Sequence, residues 1–156
     1  METYYGYIET GHDALLLFEA CRQGRFSRVQ RRLSDKERST IRSGSIFVWD
    51  EEESGMRRWT DGKTWSPSRV LGCFLTYQEL ETKRRSIKAS PTALSVKNDG
   101  LVKKSLSLST YNGHKLHLIC YYSKRDVQER RLRSPSMDPQ FTNLVIPHGY
   151  YPEMTP

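Results

Sequence analysis

Residues 101–122 place the strongest constraint on the fold, because they alternate apolar and polar side chains on both sides of Asn112-Gly113. The apolar positions are Leu106, Leu108, Leu116, Leu118 and Cys120. A period of two is typical of strands with one face against a core, and Asn-Gly favours a two-residue primed turn. The pattern therefore predicts a β-hairpin, which is marginal in water unless other strands pair with it.

The first half of the chain contains two predicted strands and two predicted helices. Residues 3–8 are aromatic and indicate a short strand, and residues 45–50 indicate another. Residues 13–23 have apolar side chains near helical spacing and are followed by Gly24, so a helix is expected there. A second, short helix is expected to begin at Ser34, because Ser34-Asp35-Lys36-Glu37 matches a capping box.

The stretch from residue 36 to residue 62 is expected to continue this helix and then form a strand pair. Arg38 and Arg42 would lie one turn apart on one helix face, because residues four apart are neighbours. Residues 50–55 are acidic and predict a turn, after which residues 56–60 would return as a partner strand. Asp61-Gly62 then marks a tight turn.

Residues 66–80 leave two alternatives open. Ser66-Pro67 is typical of a helix start, with Ser66 as the cap and Pro67 at the first helical position. Apolar residues follow near helical spacing, but Gly72 weakens the helix, so a strand is the alternative. Residues 81–98 hold few apolar side chains and no period, and they are predicted to form a linker.

The chain is thus divided into a first block, 3–80, and a second block, 99–151, around the linker. Residues 143–146 are predicted to add a last strand, and the tail at 150–152 is expected to be peripheral. Each block alone has few strands. We therefore expect an α+β fold in which both blocks interdigitate strands into one mostly antiparallel sheet with flanking short helices. A length of 156 residues fits one domain, 1–156.

Charge is distributed unevenly along the chain. All 25 Lys and Arg lie between Arg22 and Arg133, whereas that span holds only 12 of the 18 acidic residues. A basic body between acidic ends indicates a polyanionic partner. The alternative is an ordinary solvated surface.

Other classes of function are disfavoured by what the sequence lacks. No run of about 18 apolar residues predicts a membrane span, and the N-terminus lacks a secretory signal pattern. The three cysteines, Cys21, Cys73 and Cys120, are widely spaced, which predicts reduced, buried thiols in an intracellular protein. Zinc-ligand spacing, a nucleophile elbow and a phosphate-binding loop are absent from the sequence, so we expect no metal, no cofactor and no enzyme.

Residues 57–69 give the strongest functional signal. Two indoles bracket a turn among four cations: Trp59, Trp65, Arg57, Arg58, Lys63 and Arg69. Because Lys and Arg are seldom buried without a partner, this segment is expected to be a surface probe for nucleic acid. A strand edge guarded by charge is the alternative. The indoles either pack on the protein and hold the loop, or stack on unpaired bases.

Two short motifs suggest regulation and localisation. Arg57-Arg58-Trp59-Thr60 fits the Arg-Arg-x-Thr pattern that basophilic protein kinases prefer, so phosphorylation of Thr60 is a hypothesis. A phosphate there would add about −1.5 to −2 charges and repel DNA. Lys83-Arg84-Arg85 would contribute to a nuclear-import signal, or it is simply part of a solvated linker.

Residues 57–62 and 65–69, reading RRWTDG and WSPSR, resemble the first conserved block of the WOPR domain, a family of fungal transcription regulators. Residues 43–55 and the opening YYGYI also match that block. The second block is similar over 100–105 and 117–122. The resemblance covers nearly the whole chain and thins in the linker.

This resemblance implies a mixed fold in which two blocks share one sheet, and sequence-specific binding of duplex DNA at AT-rich sites. It implies that the sheet side faces the major groove and that an Arg-bearing loop enters the minor groove. Narrow A-tract minor grooves have an enhanced negative potential that attracts Arg. The resemblance also implies a nuclear regulator of fungal development, morphology, sporulation, secondary metabolism or virulence genes.

Carried onto this sequence, the resemblance assigns Arg58 to the minor groove, with Arg57 and Lys63 beside it. The next DNA-facing groups are Thr60, Ser66, Ser68 and Arg69. Expected phosphate contacts are Arg31, Arg32 and Lys104. The basic character of Lys103-Lys104 by itself, apart from the resemblance, also predicts a phosphate contact at Lys103. The rival class is a module that binds single-stranded nucleic acid or an acidic peptide, with Trp59 and Trp65 as stacking platforms.

Overall fold

Six strands form one antiparallel sheet in the computed structural model, which describes residues 1–81 and 95–154. The strands are β1 (Tyr4–Tyr5), β2 (Ser45–Asp50), β3 (Arg69–Leu71), β4 (Phe74–Gln78), β5 (Val102–Ser109) and β6 (Lys115–Tyr122). Their order across the sheet is β1, β2, β6, β5, β4, β3. The hairpin of the second block therefore lies between strands of the first block, and the predicted α+β architecture is confirmed.

Four short helices accompany the sheet: α1 (Gly11–Arg22), α2 (Asp35–Arg38), α3 (Glu51–Ser54) and α4 (Lys124–Gln128). α1 begins with a capping box between Thr10 and Asp13, and α2 begins with the predicted box between Ser34 and Glu37. Two 3-10 turns follow at Pro135–Met137 and Pro139–Phe141. Among the described residues, no helix has the length and apolarity needed to cross a membrane.

The first face of the sheet carries Ile46, Leu106 and Leu118 and is covered by α1. Leu17 and Phe18 of α1 are almost completely buried against this face. The tail also belongs to this core, because the Tyr151 ring is buried and its hydroxyl donates to Glu19 Oε1 at 2.9 Å. The expectation that the tail is peripheral is therefore wrong for Tyr151.

The second face of the sheet carries the alternate side chains of the same strands. Phe47 and Trp49 of β2 and Ile119 and Tyr121 of β6 are buried there in a separate cluster. Other buried members of this cluster come from the segments that flank β2: Val29, Leu33, Ile41 and Met56. This face is consequently covered by loop segments of the first block rather than by a long helix.

The central hairpin is confirmed, but its turn is longer than predicted. Thr110 N donates to His114 O at 2.8 Å, so three residues, 111–113, form the loop. Gly113 has a φ of 86°, a left-handed conformation that glycine adopts without steric cost. A three-residue loop of this kind places Gly at its last position, which explains why the Asn-Gly pair is displaced from a two-residue turn.

The segment between α2 and β3 departs from prediction at three points. α2 ends at Arg38, and Arg42 instead pairs with Glu2, so the two arginines do not share a helix face. Residues 50–55 contain α3, whose first turn is capped by the Asp50 carboxylate. Residues 56–60 form no strand, because Met56 and Trp59 pack onto the second face instead of pairing with an edge.

Two later predictions are settled by strand pairing. Residues 69–78 form the β3–β4 hairpin, so the strand alternative is correct and the helix is wrong. Residues 143–146 form no strand. Cys21 and Cys120 are buried as predicted, whereas Cys73 is exposed at the β3–β4 turn. Most of the predicted linker, 82–94, lies outside the described residues.

Candidate nucleic-acid interface

A basic loop, residues 57–66, crosses the second face of the sheet between α3 and the β3–β4 hairpin. Trp59 stacks on Trp49 with ring centroids 4.8 Å apart and also contacts Phe47 at 5.0 Å. Its indole N–H donates to the Tyr121 hydroxyl at 2.8 Å. The far end of the loop pairs with the extension of β4 through a bridge between Trp65 and Glu79. The loop is therefore held at both ends by the sheet.

Asp61 is the acceptor shared by the middle of this loop and the central hairpin. Its carboxylate accepts hydrogen bonds from Tyr121 Oη at 2.5 Å and from Trp65 Nε1 at 3.1 Å. It also accepts from Lys103 Nζ at 3.4 Å and from the backbone N–H of Lys63 at 3.0 Å. Gly62, at a φ of 75°, allows the tight reversal that brings the Lys63 N–H back to Asp61.

Burial and neighbouring groups shift the pKa values of the ionisable residues at this site. Burial alone raises the pKa of the Asp61 carboxyl, but the hydrogen bonds from Tyr121 and Trp65 and the Lys103 charge outweigh it. The pKa of Asp61 therefore lies below its ordinary value, and the residue is a carboxylate at neutral pH. Burial lowers the pKa of Lys103, which Asp61 opposes, and burial raises the pKa of Tyr121.

The loop projects two adjacent arginines outward. Arg57 is 88% exposed, and its Nε lies 3.8 Å from Glu51. Arg58 is exposed and, within the described part of the chain, makes no ion pair or side-chain hydrogen bond. Arg69 on β3 is likewise exposed and has no such partner among the described residues. These guanidinium groups are therefore available to an anionic ligand.

The segment around α2 brings further cations beside the loop. Arg32 is exposed, and its Nη1 donates to Thr60 Oγ1 at 3.3 Å. Arg31 lies next to it and forms an ion pair with Glu37. The sequence-predicted residues Arg31 and Arg32 are therefore brought beside the loop at Thr60, although 28 positions separate Arg32 from Thr60 in the chain.

The polar residues after the turn divide into exposed and structural groups. Ser68 is exposed, whereas Ser66 Oγ accepts from the backbone N–H of Gln78 at 2.9 Å and so joins the loop to β4. Lys63 is partly buried, and its Nζ lies 4.0 Å from Glu79. Ser66 thus holds the hairpin rather than capping a helix.

The expected phosphate contact at Lys104 is wrong. Lys104 is only 2% exposed, and its Nζ donates to the Ile8 carbonyl at 2.9 Å. The ammonium group is surrounded by aromatic rings on the first face: Tyr7, Phe74 and Tyr122. The neighbouring Lys103 points to the second face and is held by Asp61, so neither lysine is free for phosphate.

Tyr121 is not identified from the sequence as part of this interface, and Lys103, for which the sequence predicts a phosphate contact, instead binds Asp61. The alternation of β5 and β6 carries the signal, because it places Tyr121 and Lys103 on the second face, whereas Leu118 and Lys104 lie on the first. The same face also holds a polar chain in which His117 lies between Ser107 and Glu51, with contacts of 2.6 and 2.7 Å. For Asp61, the sequence predicts only a tight turn with Gly62.

Residues 3–94 match the sequence profile of the Gti1/Pac2 family. The chain belongs to the Gti1/Pac2 family. It is 45% identical to the cAMP-independent regulatory protein pac2 of Schizosaccharomyces pombe, over 100% of this chain and 84% of that protein. It is 36% identical to the global transcription regulator sge1 of Gibberella moniliformis, over 94% of this chain. The chain spans 60% of the length of sge1.

The fold is also similar to that of a protein solved with DNA. This structure is the complex of the WOPR domain of Wor1 in Candida albicans with a 13 bp double-stranded DNA. The TM-score is 0.79 at 35% identity, and the match covers 96% of this chain and 93% of that one. The resemblance to WOPR-domain regulators, first seen in the RWTDG and WSPSR runs, is confirmed.

Proposed function

We propose that this chain binds duplex DNA in a sequence-specific manner and acts in the nucleus as a transcription regulator, without catalysis or a cofactor. The observation that carries the proposal is the exposed Arg58, which has no ion-pair partner among the described residues and lies on a loop that the sheet holds at both ends. The relatives named as regulators and the Wor1 complex with DNA support the same function.

The proposed site is AT-rich, and Arg58 is the proposed minor-groove residue. An A-tract minor groove is narrow and strongly negative, which suits an exposed guanidinium on a preformed loop. Arg57, Ser68 and Arg69 are exposed and are proposed to contact the backbone or base edges. Lys63 and Ser66 are proposed to act from the base of the loop, and Arg31 and Arg32 to contact phosphates.

The proposed targets are genes of fungal development, morphology or virulence, which are the genes that the family resemblance implies. This part of the proposal concerns the whole regulator. The proposed domain spans residues 1–156, with both blocks needed for the sheet that holds the basic loop.

The test compares Arg58→Ala with Arg25→Ala on AT-rich and GC-rich duplexes at one fixed salt concentration. Arg25 is a matched control, because it is exposed and donates to Gln140 O, next to Phe141 of the first-face core. Loss of Arg58 should cost about 1–3 kcal/mol of binding to the AT-rich duplex, the scale of one good base-edge contact. Arg25→Ala should leave binding nearly unchanged.

The same assay can reject the proposal. Equal loss on both duplexes would make Arg58 a general phosphate contact. A single strand that outcompetes the AT-rich duplex would favour the rival module with Trp59 and Trp65 as platforms. Affinities need to be measured at one stated salt concentration, because binding to phosphates falls steeply as salt rises.

Phosphorylation of Thr60 by a basophilic protein kinase is a further part of the proposal. Thr60 is exposed, accepts a hydrogen bond from Arg32, and lies two residues after Arg58 in the basic loop. A phosphate there would place about −1.5 to −2 charges where DNA phosphates are expected, so binding should weaken. Thr60→Glu should bind duplex DNA less tightly than Thr60→Ala. Mass spectrometry that finds Thr60 always unmodified in the host would reject this part.

A further inference from the structure

The contacts between the basic loop and the central hairpin centre on one side chain, Asp61. The first block supplies Asp61 and the second block supplies Tyr121 and Lys103, which lie on neighbouring strands. Tyr121 in turn accepts from the Trp59 indole, two positions before Asp61 along the loop. A single carboxylate therefore ties both indoles of the loop to strands that come from the other block.

Asp61 is unsuited to contacting DNA itself. It is only 6% exposed, and its two oxygens already accept from the hydroxyl, indole, ammonium and backbone N–H donors described above. A carboxylate is also repelled by phosphate. Any influence of Asp61 on a DNA complex must therefore act through the loop that it holds.

We propose that Asp61 is a positioning residue, which sets the location of Arg58 through its contacts with Tyr121 and Lys103 and so determines affinity for duplex DNA. This inference rests on the proposed function and deepens it, because it makes second-block strands part of DNA recognition without contacting DNA. It also explains why a buried acid lies in the middle of a strongly basic loop.

The physical basis is the entropy of the loop. If the loop is fixed before binding, Arg57 and Arg58 lose less freedom when DNA arrives, and the saved ordering cost appears as affinity. Ordering a side chain rich in rotamers is costly enough that releasing the loop should weaken duplex binding about tenfold. Coulomb attraction predicts the opposite sign, because removal of an acid raises the net charge of the protein and favours phosphate binding.

The experiment uses Asp61→Asn and Tyr121→Phe, each alone and each combined with Arg58→Ala. Asp61→Asn removes the charge and keeps the shape, whereas Tyr121→Phe removes only the hydroxyl that bridges Asp61 and Trp59. Glu52→Gln is the charge-matched control, because Glu52 is exposed on α3 and its side chain has no hydrogen bond or ion pair among the described residues. Duplex affinity is measured at a temperature where circular dichroism shows each variant folded.

The expected result is a loss of about tenfold for Asp61→Asn and several-fold for Tyr121→Phe, with unchanged or tighter binding for Glu52→Gln. In the Arg58→Ala background the same two changes should cost less than about threefold, because residues that act as a unit are not additive. Hydrogen exchange should quicken in residues 57–66 and stay unchanged in β2 and β5. A general loss of stability would produce neither the non-additivity nor the local exchange.

The inference and the proposed function fail in different ways. If the wild type binds the duplex and both Asp61→Asn and Tyr121→Phe bind within about twofold of it, the positioning role is overturned and the proposed function stands. Equal losses with and without Arg58 also overturn the positioning role. If the wild type does not bind duplex DNA, both are overturned. Should Asp61→Asn fail to fold, Tyr121→Phe decides the question alone, since it retains the ring in the buried cluster.

Discussion

The first face of the sheet is covered by α1 through apolar packing, whereas the second is covered by the basic loop through stacked indoles and a buried carboxylate. On the first face Leu17 and Phe18 fill space against strand side chains and need no specific partner atom. On the second face Trp59 and Asp61 each require a particular donor or acceptor. The first arrangement fixes a fold, and the second fixes the position of a loop.

This contrast predicts that variants of the first face change stability, whereas variants of the second face change DNA affinity. Apolar packing contributes mainly to the free energy of unfolding, so first-face variants should lose stability and retain DNA affinity while folded. The contacts of the second face are directional, so variants there should lose affinity out of proportion to stability. Each prediction below tests one side of that separation.

Phe18→Ala should give the largest effect. Phe18 is 1% exposed in the core of the first face, and truncation of a buried Phe costs about 3–5 kcal/mol of unfolding free energy. Chemical denaturation followed by tryptophan fluorescence measures that cost. At low temperature the folded fraction should bind duplex DNA like the wild type, and a specific loss of affinity would contradict the separation of the two faces.

Trp59→Ala should lower both the unfolding free energy and the duplex affinity, because Trp59 is part of the buried cluster and also holds the basic loop. The change removes the stacking on Trp49 and leaves the Tyr121 hydroxyl without its indole donor, for a cost of about 2 kcal/mol of unfolding free energy. Duplex affinity should fall as well, because the loop loses one attachment. Trp59→Phe, which keeps an aromatic ring but removes the indole N–H, should be intermediate in both assays.

Acid should weaken the attachment of the basic loop to the sheet. The pKa of Asp61 is lowered in the fold, so its carboxylate stabilises the protein above the ordinary Asp value of about 3.9. That stabilisation is lost as pH falls through the lower, folded value. The difference in unfolding free energy between wild type and Asp61→Asn should therefore shrink below about pH 4. A constant difference across this range would show that the Asp61 charge is not what the fold uses.

Lys104→Met should have the smallest effect on stability and on duplex affinity. Burial lowers the pKa of Lys104, so the wild type should gain stability as pH rises through that lowered value toward about 10.4. The variant should lack this part of the alkaline rise. At neutral pH its unfolding free energy should change by less than about 1 kcal/mol, because removal of a buried charge offsets the lost bond to Ile8. Its duplex affinity should equal that of the wild type.

Local chemistry explains which elements the sequence predicted well. The predicted cap of α2 lies in a first turn of a few residues, and the alternation in β5 and β6 identifies the hairpin without distant information. The exchange of strands between blocks followed from a simple need, since each block alone has too few strands to bury a sheet face.

Most of the failures arise from contacts between residues far apart in sequence. Residues 56–60 look like a strand because their hydrophobic side chains are bulky, yet Trp59 packs on Phe47 across the sheet face. Lys104 looks like a phosphate contact because it is basic, although its place in the β5 alternation puts it on the core face beside Leu106. Asp61 looks like a turn residue, and only the folded chain brings Tyr121 and Lys103 to it.

Selection of preferred sites from a random duplex library, with wild type and Arg58→Ala side by side, tests the central claim most directly. The account predicts that wild type enriches an AT-rich sequence and that Arg58→Ala loses this enrichment while remaining folded. No enriched sequence with wild type, or the same enrichment with both proteins, would contradict the assignment of sequence-specific recognition to the basic loop.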